Sequence, residues 1–329
     1  MNKKKIAELL KKTPLKDLLG RADLIREKYA GKAVHIRGII EFSNYCVNSC
    51  LYCGLREENK KISRYRMPPE AVVSLALEIS RLGVKTIVLQ SGEDPGYRAK
   101  DIANIITQIK EHAEVAITLS VGQRDFSDYE LWRKAGADRY LMKHETLNPL
   151  LYQRLHPGQS LEERLKHIFF LKEIGFEIGV GNIIGLPGQT LEDLAEDVLF
   201  MGEIKADMAG IGPFVPQADT PLANHPPGDV ELSLRTLAVT RLVCKWIHLP
   251  ATTALATLGG DKAQKMALRA GANVLMPNFT PEDLRQNYQI YDQKVCLTLK
   301  KAQKLIRACG LSISTDKGGT LQCRIPPRA

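Results

Sequence analysis

The sequence predicts an α/β protein: a closed (β/α)8 barrel of the TIM type, with an N-terminal helical cap and a short C-terminal helical tail. Three observations carry this expectation. From Val34 onward, short apolar runs alternate with amphipathic stretches, the pattern of parallel β/α units. Four of those stretches end on glycine just ahead of the next apolar run, at Leu82-Gly83, Ala135-Gly136, Ile174-Gly175 and Ala270-Gly271, where a left-handed residue caps a helix. Eight such units in about 250 residues match a closed barrel in size. A doubly wound open sheet is the alternative.

Residues 1–33 read as the helical cap. Ile6, Leu9 and Leu10 share one face, Pro14 interrupts, and Leu15, Leu18, Leu19, Ala22, Ile25 and Tyr29 resume at helical spacing. The barrel is expected over 34–285. Its strands fall at 34–40, 86–89, 115–119, 139–142, 177–180, 208–211, 248–252 and 273–276, with helices such as 69–82, 98–110, 161–174, 191–204 and 232–246 between them. The tail, 286–329, offers no further strand–helix unit. Within it 293–309 reads as one helix with Leu297, Leu299, Leu305 and Ile306 as core candidates. Gly310, Gly318 and Gly319 loosen the chain beyond that helix, and 324–329 reads as a frayed end.

Composition bounds the function. In 329 residues, 44% hydrophobic and 25% charged, a large core needs no disulfides. No apolar run of about 18 residues predicts a membrane span. Lys3, Lys4 and Lys5 are followed by Lys11, Lys12 and Pro14 rather than by an apolar segment, so no signal peptide is expected. The net charge of +9 reads first as a solvated basic surface. No dense Lys/Arg stripe with interleaved aromatics speaks for nucleic acid, and the alternative is an anionic substrate or an acidic partner. Seven cysteines, an odd number, point to a reducing cytoplasm.

Three of those cysteines fall within eight residues, in Tyr45-Cys46-Val47-Asn48-Ser49-Cys50-Leu51-Tyr52-Cys53-Gly54. A zinc site needs a fourth ligand, and no His or further Cys lies between Ser43 and Ser63. A disulfide would leave one cysteine over. A four-iron cluster has four metal corners for thiolates. Three thiolates leave one iron without a protein ligand, and an open metal position marks a catalytic site rather than a closed structural one.

Other candidates stand at predicted strand ends. Ser91 and Gly92 open a small-residue loop that lets backbone approach a ligand, or that is an ordinary connection. Thr118 can turn a hydroxyl inward or serve strand propensity. Lys143 and Glu145, two apart on a strand, share a face as a ligand pair or a rim ion pair, with His144 facing away. Arg164, near a helix start, can fork a carboxylate or lie on the surface beside Glu163. The segment 179–190 lacks the lysine and spacing of a phosphate loop. Ile211, Thr252, Thr253 and Met276 stand at later strand ends, and Tyr288 and Tyr291 lie just beyond them. Cys244 reads as a core residue.

The spacing C-x3-C-x2-C, with Tyr52 before the last cysteine, resembles the signature of the radical S-adenosylmethionine (radical SAM) enzymes. That resemblance implies a barrel carrying one 4Fe-4S cluster per chain on Cys46, Cys50 and Cys53, whose open iron chelates SAM. One electron then cleaves SAM to a 5′-deoxyadenosyl radical. It implies further that Tyr52, Ser91, Gly92, Glu145, Arg164 and Ile211 bind the cofactor. Longer strings resemble the HydE family of FeFe-hydrogenase maturases. They are Glu41-Phe42-Ser43-Asn44, Cys53-Gly54-Leu55-Arg56, Arg64-Tyr65-Arg66-Met67, Leu89-Gln90-Ser91-Gly92-Glu93-Asp94-Pro95, His144-Glu145-Thr146, Gly185-Leu186-Pro187-Gly188-Gln189-Thr190, Gly210-Ile211-Gly212-Pro213-Phe214, Asp219-Thr220-Pro221-Leu222-Ala223, Pro250-Ala251-Thr252-Thr253-Ala254 and Met276-Pro277-Asn278.

This second resemblance implies a role in assembling the di-iron subcluster of FeFe-hydrogenase. The radical would attack the cysteine sulfur of an anionic iron–carbonyl–cyanide–cysteine complex. Lys143, Thr118, Thr252, Thr253, Met276 and Tyr288 would face that substrate. The implied partners are other maturation proteins and a reductant such as ferredoxin or flavodoxin. Biotin synthase and methylornithine synthase share fewer strings, so an amino-acid carbon-skeleton isomerase is the alternative, and a non-catalytic cluster scaffold a third. The chain departs from the pattern at Lys143, where an Arg is expected; lysine keeps the charge and loses the fork. Some members carry a second cluster on three C-terminal cysteines. Cys296 matches the first position, Lys304 and Arg307 fall where the others would lie, and Cys309 and Cys323 lie too far along, so no second cluster is expected.

Overall fold

Residues 1–322 are described by the structure, a computed structural model. Helix α1 (Lys3–Lys12) starts where the Asn2 side chain accepts from the Lys5 N–H, and it buries Ile6, Leu9 and Leu10 as their spacing predicts. Pro14 precedes α2 (Leu15–Ala30). Then come β1 (Ala33–Ile36), β2 (Gly38–Ser43), α3 (Pro69–Arg81), β3 (Thr86–Ser91), α4 (Ala99–His112), β4 (Ala116–Ser120) and α5 (Phe126–Lys134). The middle of the chain forms β5 (Arg139–Leu141), α6 (Pro149–Leu155), α7 (Leu161–Glu173), β6 (Glu177–Ile184), α8 (Leu191–Glu203) and β7 (Met208–Pro213). The last elements are α9 (Val230–Cys244), α10 (Thr253–Arg269), β8 (Val274–Leu275), α11 (Glu282–Arg285), α12 (Leu299–Ala308) and β9 (Ser312–Ile313).

Strands β2 to β7 form one six-stranded parallel sheet in sequence order. Their residues are buried almost throughout, as parallel strands covered on both faces must be. Strand β1 lies between β8 and β9 in a second parallel sheet. Single parallel bridges join Met208 to His248, Pro250 to Val274 and Ile39 to Asn278. Helix α1 packs on α8, and α2 on α9 and α10. The predicted glycine caps hold: Gly83, Gly136, Gly175 and Gly271 all have positive φ, which costs glycine little.

Four expectations need correction. The run 34–40 is two strands, because β1 pairs with β8 and β9 while β2 pairs with β3; the change of partner falls at buried Arg37. The expected strand 248–252 survives only as bridges, and Pro250 has no N–H to give a ladder. The helix expected over 293–309 is confined to α12. Gln293 is left-handed at φ +52°, the Val295 N–H is turned to Thr257 Oγ1, and Thr298 caps the helix start. Finally, the tail returns as β9 beside β1. The frayed end expected at 324–329, and Cys323, lie outside the described residues. Among those described, no helix is long and apolar enough to cross a membrane.

Candidate active site

The cysteine loop leaves the C-terminal end of β2 and is held by its neighbours. Arg64 Nη1 donates to Asn44 O (2.5 Å) and Leu55 O (2.9 Å), and Nη2 donates to Arg56 O (2.7 Å) and Asn59 O (3.1 Å). One guanidinium thereby gathers four carbonyls on both sides of the cysteines. Asn44 Nδ2 donates to Ser63 O and Asn287 O, both at 2.8 Å. The loop lies so close to the end of β3 that a Cβ on Gly92 would stand 2.2 Å from Tyr45 O and 2.7 Å from Cys46 Cβ. The small residue predicted to admit a ligand thus admits the cysteine loop itself.

Cys46, Cys50 and Cys53 are free and half-buried. Burial raises all three pKa values, Cys53 to about 12; as thiolates, Cys46 and Cys53 would also push Cys50 up, and Cys46 would push Cys53 up. Three mutually repelling thiolates in one poorly solvated loop are a donor set that a multiply charged iron cluster would stabilise. Among the described residues no three His, Cys, Asp or Glu side chains stand close enough for a single metal ion. A cubane takes each thiolate on a different iron, so its ligands stand farther apart. The loop fits a cluster by its donor set, three free thiols in one loop.

Arg164 is buried at 8% exposure, not on the surface. Its Nε donates to Tyr152 Oη (3.1 Å), its Nη2 donates to Gln159 Oε1 (3.0 Å), and it lies 3.5 Å from Glu93 Oε1. Gln159 Nε2 in turn lies 3.8 Å from Cys50 Sγ, so a single amide links Arg164 to the cysteine loop. Burial lowers His156 to about 4, leaving it neutral at pH 7. Its Nδ1–H donates to Tyr152 O (2.9 Å) and its Nε2 accepts from Tyr52 Oη (2.8 Å).

Strand β5 stops at Leu141, so the two-residue periodicity that placed Lys143 and Glu145 on one face does not extend to them. Glu145 is left-handed at φ +62°, which costs a non-glycine residue roughly 1–2 kcal/mol. The pair meets all the same: Lys143 Nζ lies 3.0 Å from Glu145 Oε2. That contact lacks hydrogen-bond geometry, and the buried Oε2 has no hydrogen-bond partner. His144 is fully buried. The Glu145 charge adds to the burial that raises Tyr52 and Cys53, as befits a carboxylate near the cysteine loop.

Thr118 is buried and its hydroxyl has no partner, which fits an inward ligand contact as well as strand propensity. Thr252 Oγ1 donates to the carbonyl of buried Ile211 (3.2 Å). Ser91 Oγ donates to Gly92 O (2.7 Å). Tyr288 is buried and accepts from Gln90 Nε2 (3.3 Å), with the Lys294 ammonium 4.6 Å from its ring centre. Thr253 opens α10 and Met276 lies just past β8; both are half-buried. Cys244 packs partly buried against the core. Sequence reasoning missed Gln159, Tyr152, His156 and Asp197, and it held Asn182 only as part of the segment 179–190. None carries a spacing signal, because their partners come from other elements.

The radical SAM superfamily profile matches residues 40–201. The [FeFe] hydrogenase maturase subunit HydE of Thermotoga maritima is 50% identical over 306 residues, covering 91% of this chain and 87% of that protein. The crystal structure of methylornithine synthase (PylB) matches with a TM-score of 0.85 at 26% identity, over 95% of this chain and 94% of that one. The FeFe-hydrogenase maturase HydG of Carboxydothermus hydrogenoformans matches at 0.83 and 19% identity, over 96% of this chain and 76% of that one, a likeness of fold. With half its residues shared along nearly its full length, and its cysteine triad where the sheet ends, this chain belongs to the radical SAM superfamily and, within it, to the HydE family of hydrogenase maturases.

Proposed function

We propose that this radical SAM enzyme acts in assembly of the di-iron subcluster of FeFe-hydrogenase, on an anionic iron–carbonyl–cyanide–cysteine complex. The observation that carries the reading is the convergence of three free cysteines, Arg164 and the buried carboxylate of Glu145, paired only with Lys143, at one end of the sheet. When bound, the 4Fe-4S cluster and SAM would supply a 5′-deoxyadenosyl radical; we assign it to bond the cysteine sulfur of that complex, ahead of cleavage of the cysteine C–S bond, whose departing carbon takes the unpaired electron.

Cys46, Cys50 and Cys53 hold one cluster, and Tyr52 braces their loop through His156. Arg164 receives the SAM carboxylate, and the Ser91 and Gly92 segment its amino group. Glu145 accepts from the ribose hydroxyls, and Ile211 packs on adenine. On the substrate side Lys143 anchors the anion, Thr118 offers its unpaired hydroxyl, and Thr252, Thr253, Met276 and Tyr288 shape the cavity. The bridges at His248, Pro250 and Asn278 support a ring closed around that cavity over residues 34–285, between a cap at 1–33 and a tail at 286–329. Other maturation proteins, an electron donor such as ferredoxin or flavodoxin, and a cytoplasmic setting complete the proposal.

The experiment is anaerobic: cluster-loaded, reduced protein with SAM is given the iron complex or a free amino acid. Release of methionine from SAM with conversion of the iron complex to a product carrying the adenosyl group on sulfur is expected. Turnover of an amino acid alone would favour the second reading, a carbon-skeleton isomerase, which the likeness to methylornithine synthase supports.

A further inference from the structure

Asp197 lies on α8, fully buried, and touches neither the cysteine loop nor the predicted substrate residues by hydrogen bond. Its bonds instead bracket Glu145. Oδ1 accepts from the Leu147 N–H (2.8 Å) and lies 3.5 Å from His144 Nε2. Oδ2 accepts from Asn182 Nδ2 (2.9 Å). Asn182 is the residue that Glu145 faces across a parallel bridge, with Glu145 N–H donating to Gly181 O (3.0 Å) and Ile183 N–H donating to Glu145 O (3.0 Å). One carboxylate therefore fixes the chain two residues after Glu145 and the strand beside it.

Glu145 needs such a fixture. A left-handed glutamate relaxes unless its surroundings over-determine it. A buried carboxylate is itself costly, and a neutral acceptor could close the same turn. We propose that Asp197, with Asn182, is a positioning residue that clamps Glu145 in its left-handed conformation and so aims its carboxylate at the ribose of SAM. The proposal rests on the reading of Glu145 as a SAM contact.

The test is a double-mutant cycle on SAM affinity, measured by equilibrium dialysis on cluster-loaded protein. Asp197→Ala should weaken binding by about tenfold in the wild-type background and by less than about twofold beside Glu145→Ala, because coupled residues are not additive. Asp197→Asn should restore most of the affinity. Asn182 Oδ1 has no partner, so a flip of the Asn182 amide recreates the lost bond. Asn182→Ala removes only the donor and carries the same cycle, with a smaller loss, should Asp197→Ala not fold. Equal losses in both backgrounds would overturn the clamp, since a general structural role acts without Glu145. In cluster-free protein, amide exchange over residues 143–148 should rise in Asp197→Ala, and unchanged exchange would also overturn it. Wild-type protein that bound no SAM would sink the reading of Glu145, while the exchange result still decided the clamp.

Discussion

At the N-terminal ends of the strands, Arg37, Arg139 and His248 are buried and answered by three consecutive carbonyls of one strap. Arg139 Nη2 donates to Lys317 O (2.8 Å), Arg37 Nη2 to Gly318 O (3.2 Å) and His248 Nε2 to Gly319 O (2.9 Å). Only Nε of Arg37 goes unpaired in that trio. At the opposite end, Asn182 Oδ1 is buried with no hydrogen-bond partner, Glu145 Oε2 has only the Lys143 ammonium at 3.0 Å, and three thiols crowd one loop. Buried polar atoms are nearly always satisfied. The floor therefore reads as structure, and the mouth as a surface shaped for something the chain does not supply.

Four substitutions or conditions would break or sharpen that contrast. The largest effect is at the mouth. Cys50→Ala should drop iron from about four per chain to near zero and abolish SAM cleavage, leaving the thermal midpoint nearly unchanged; iron assay and calorimetry read both. The next is at the floor. Arg139 pairs with Glu177 at 2.5 Å, so Arg139→Leu strands a carboxylate and should cost about 3–5 kcal/mol in denaturant unfolding. SAM affinity should not move, and a parallel loss of affinity would dissolve the division between the two ends.

Back at the mouth, Arg164→Lys should weaken SAM binding by about tenfold with little loss of stability. An ammonium cannot hold Tyr152 and Gln159 while forking a carboxylate. The last effect is in pH. The folded pKa of His156 is depressed from 6.5 to about 4, so between those values the unfolded chain binds a proton that the folded chain refuses. The stability His156 contributes is present above pH 6.5 and is lost as pH falls toward 4, by up to about 1.4 kcal/mol per unit. His156→Gln should flatten that slope in pH-dependent unfolding; an unchanged slope would assign it to other groups, such as His248, which burial also lowers.

The strand–helix alternation and the glycine caps were legible in the sequence because both are local: burial periodicity and a left-handed residue leave marks within a few positions. The cysteine triad was legible for the same reason. Arg37 splitting the first strand was not, because the cause is a change of pairing partners more than two hundred residues apart, with Leu275 beside it and Ile313 near by. Lys143 and Glu145 were placed together on a strand periodicity that stops before them. They meet across a left-handed Glu145, a turn we assign to the clamp of Asp197 and Asn182 on other elements. Arg164 read equally as a surface residue, since Tyr152, Gln159 and Glu93 reach it through folding alone.

The central claim is that the mouth presents a cluster with an open iron beside SAM-binding side chains. Electron paramagnetic resonance of the reduced, cluster-loaded protein tests it most directly, with and without SAM. The account predicts a four-iron signal that shifts when SAM is added. A signal indifferent to saturating SAM would mean a fully ligated cluster and would contradict it.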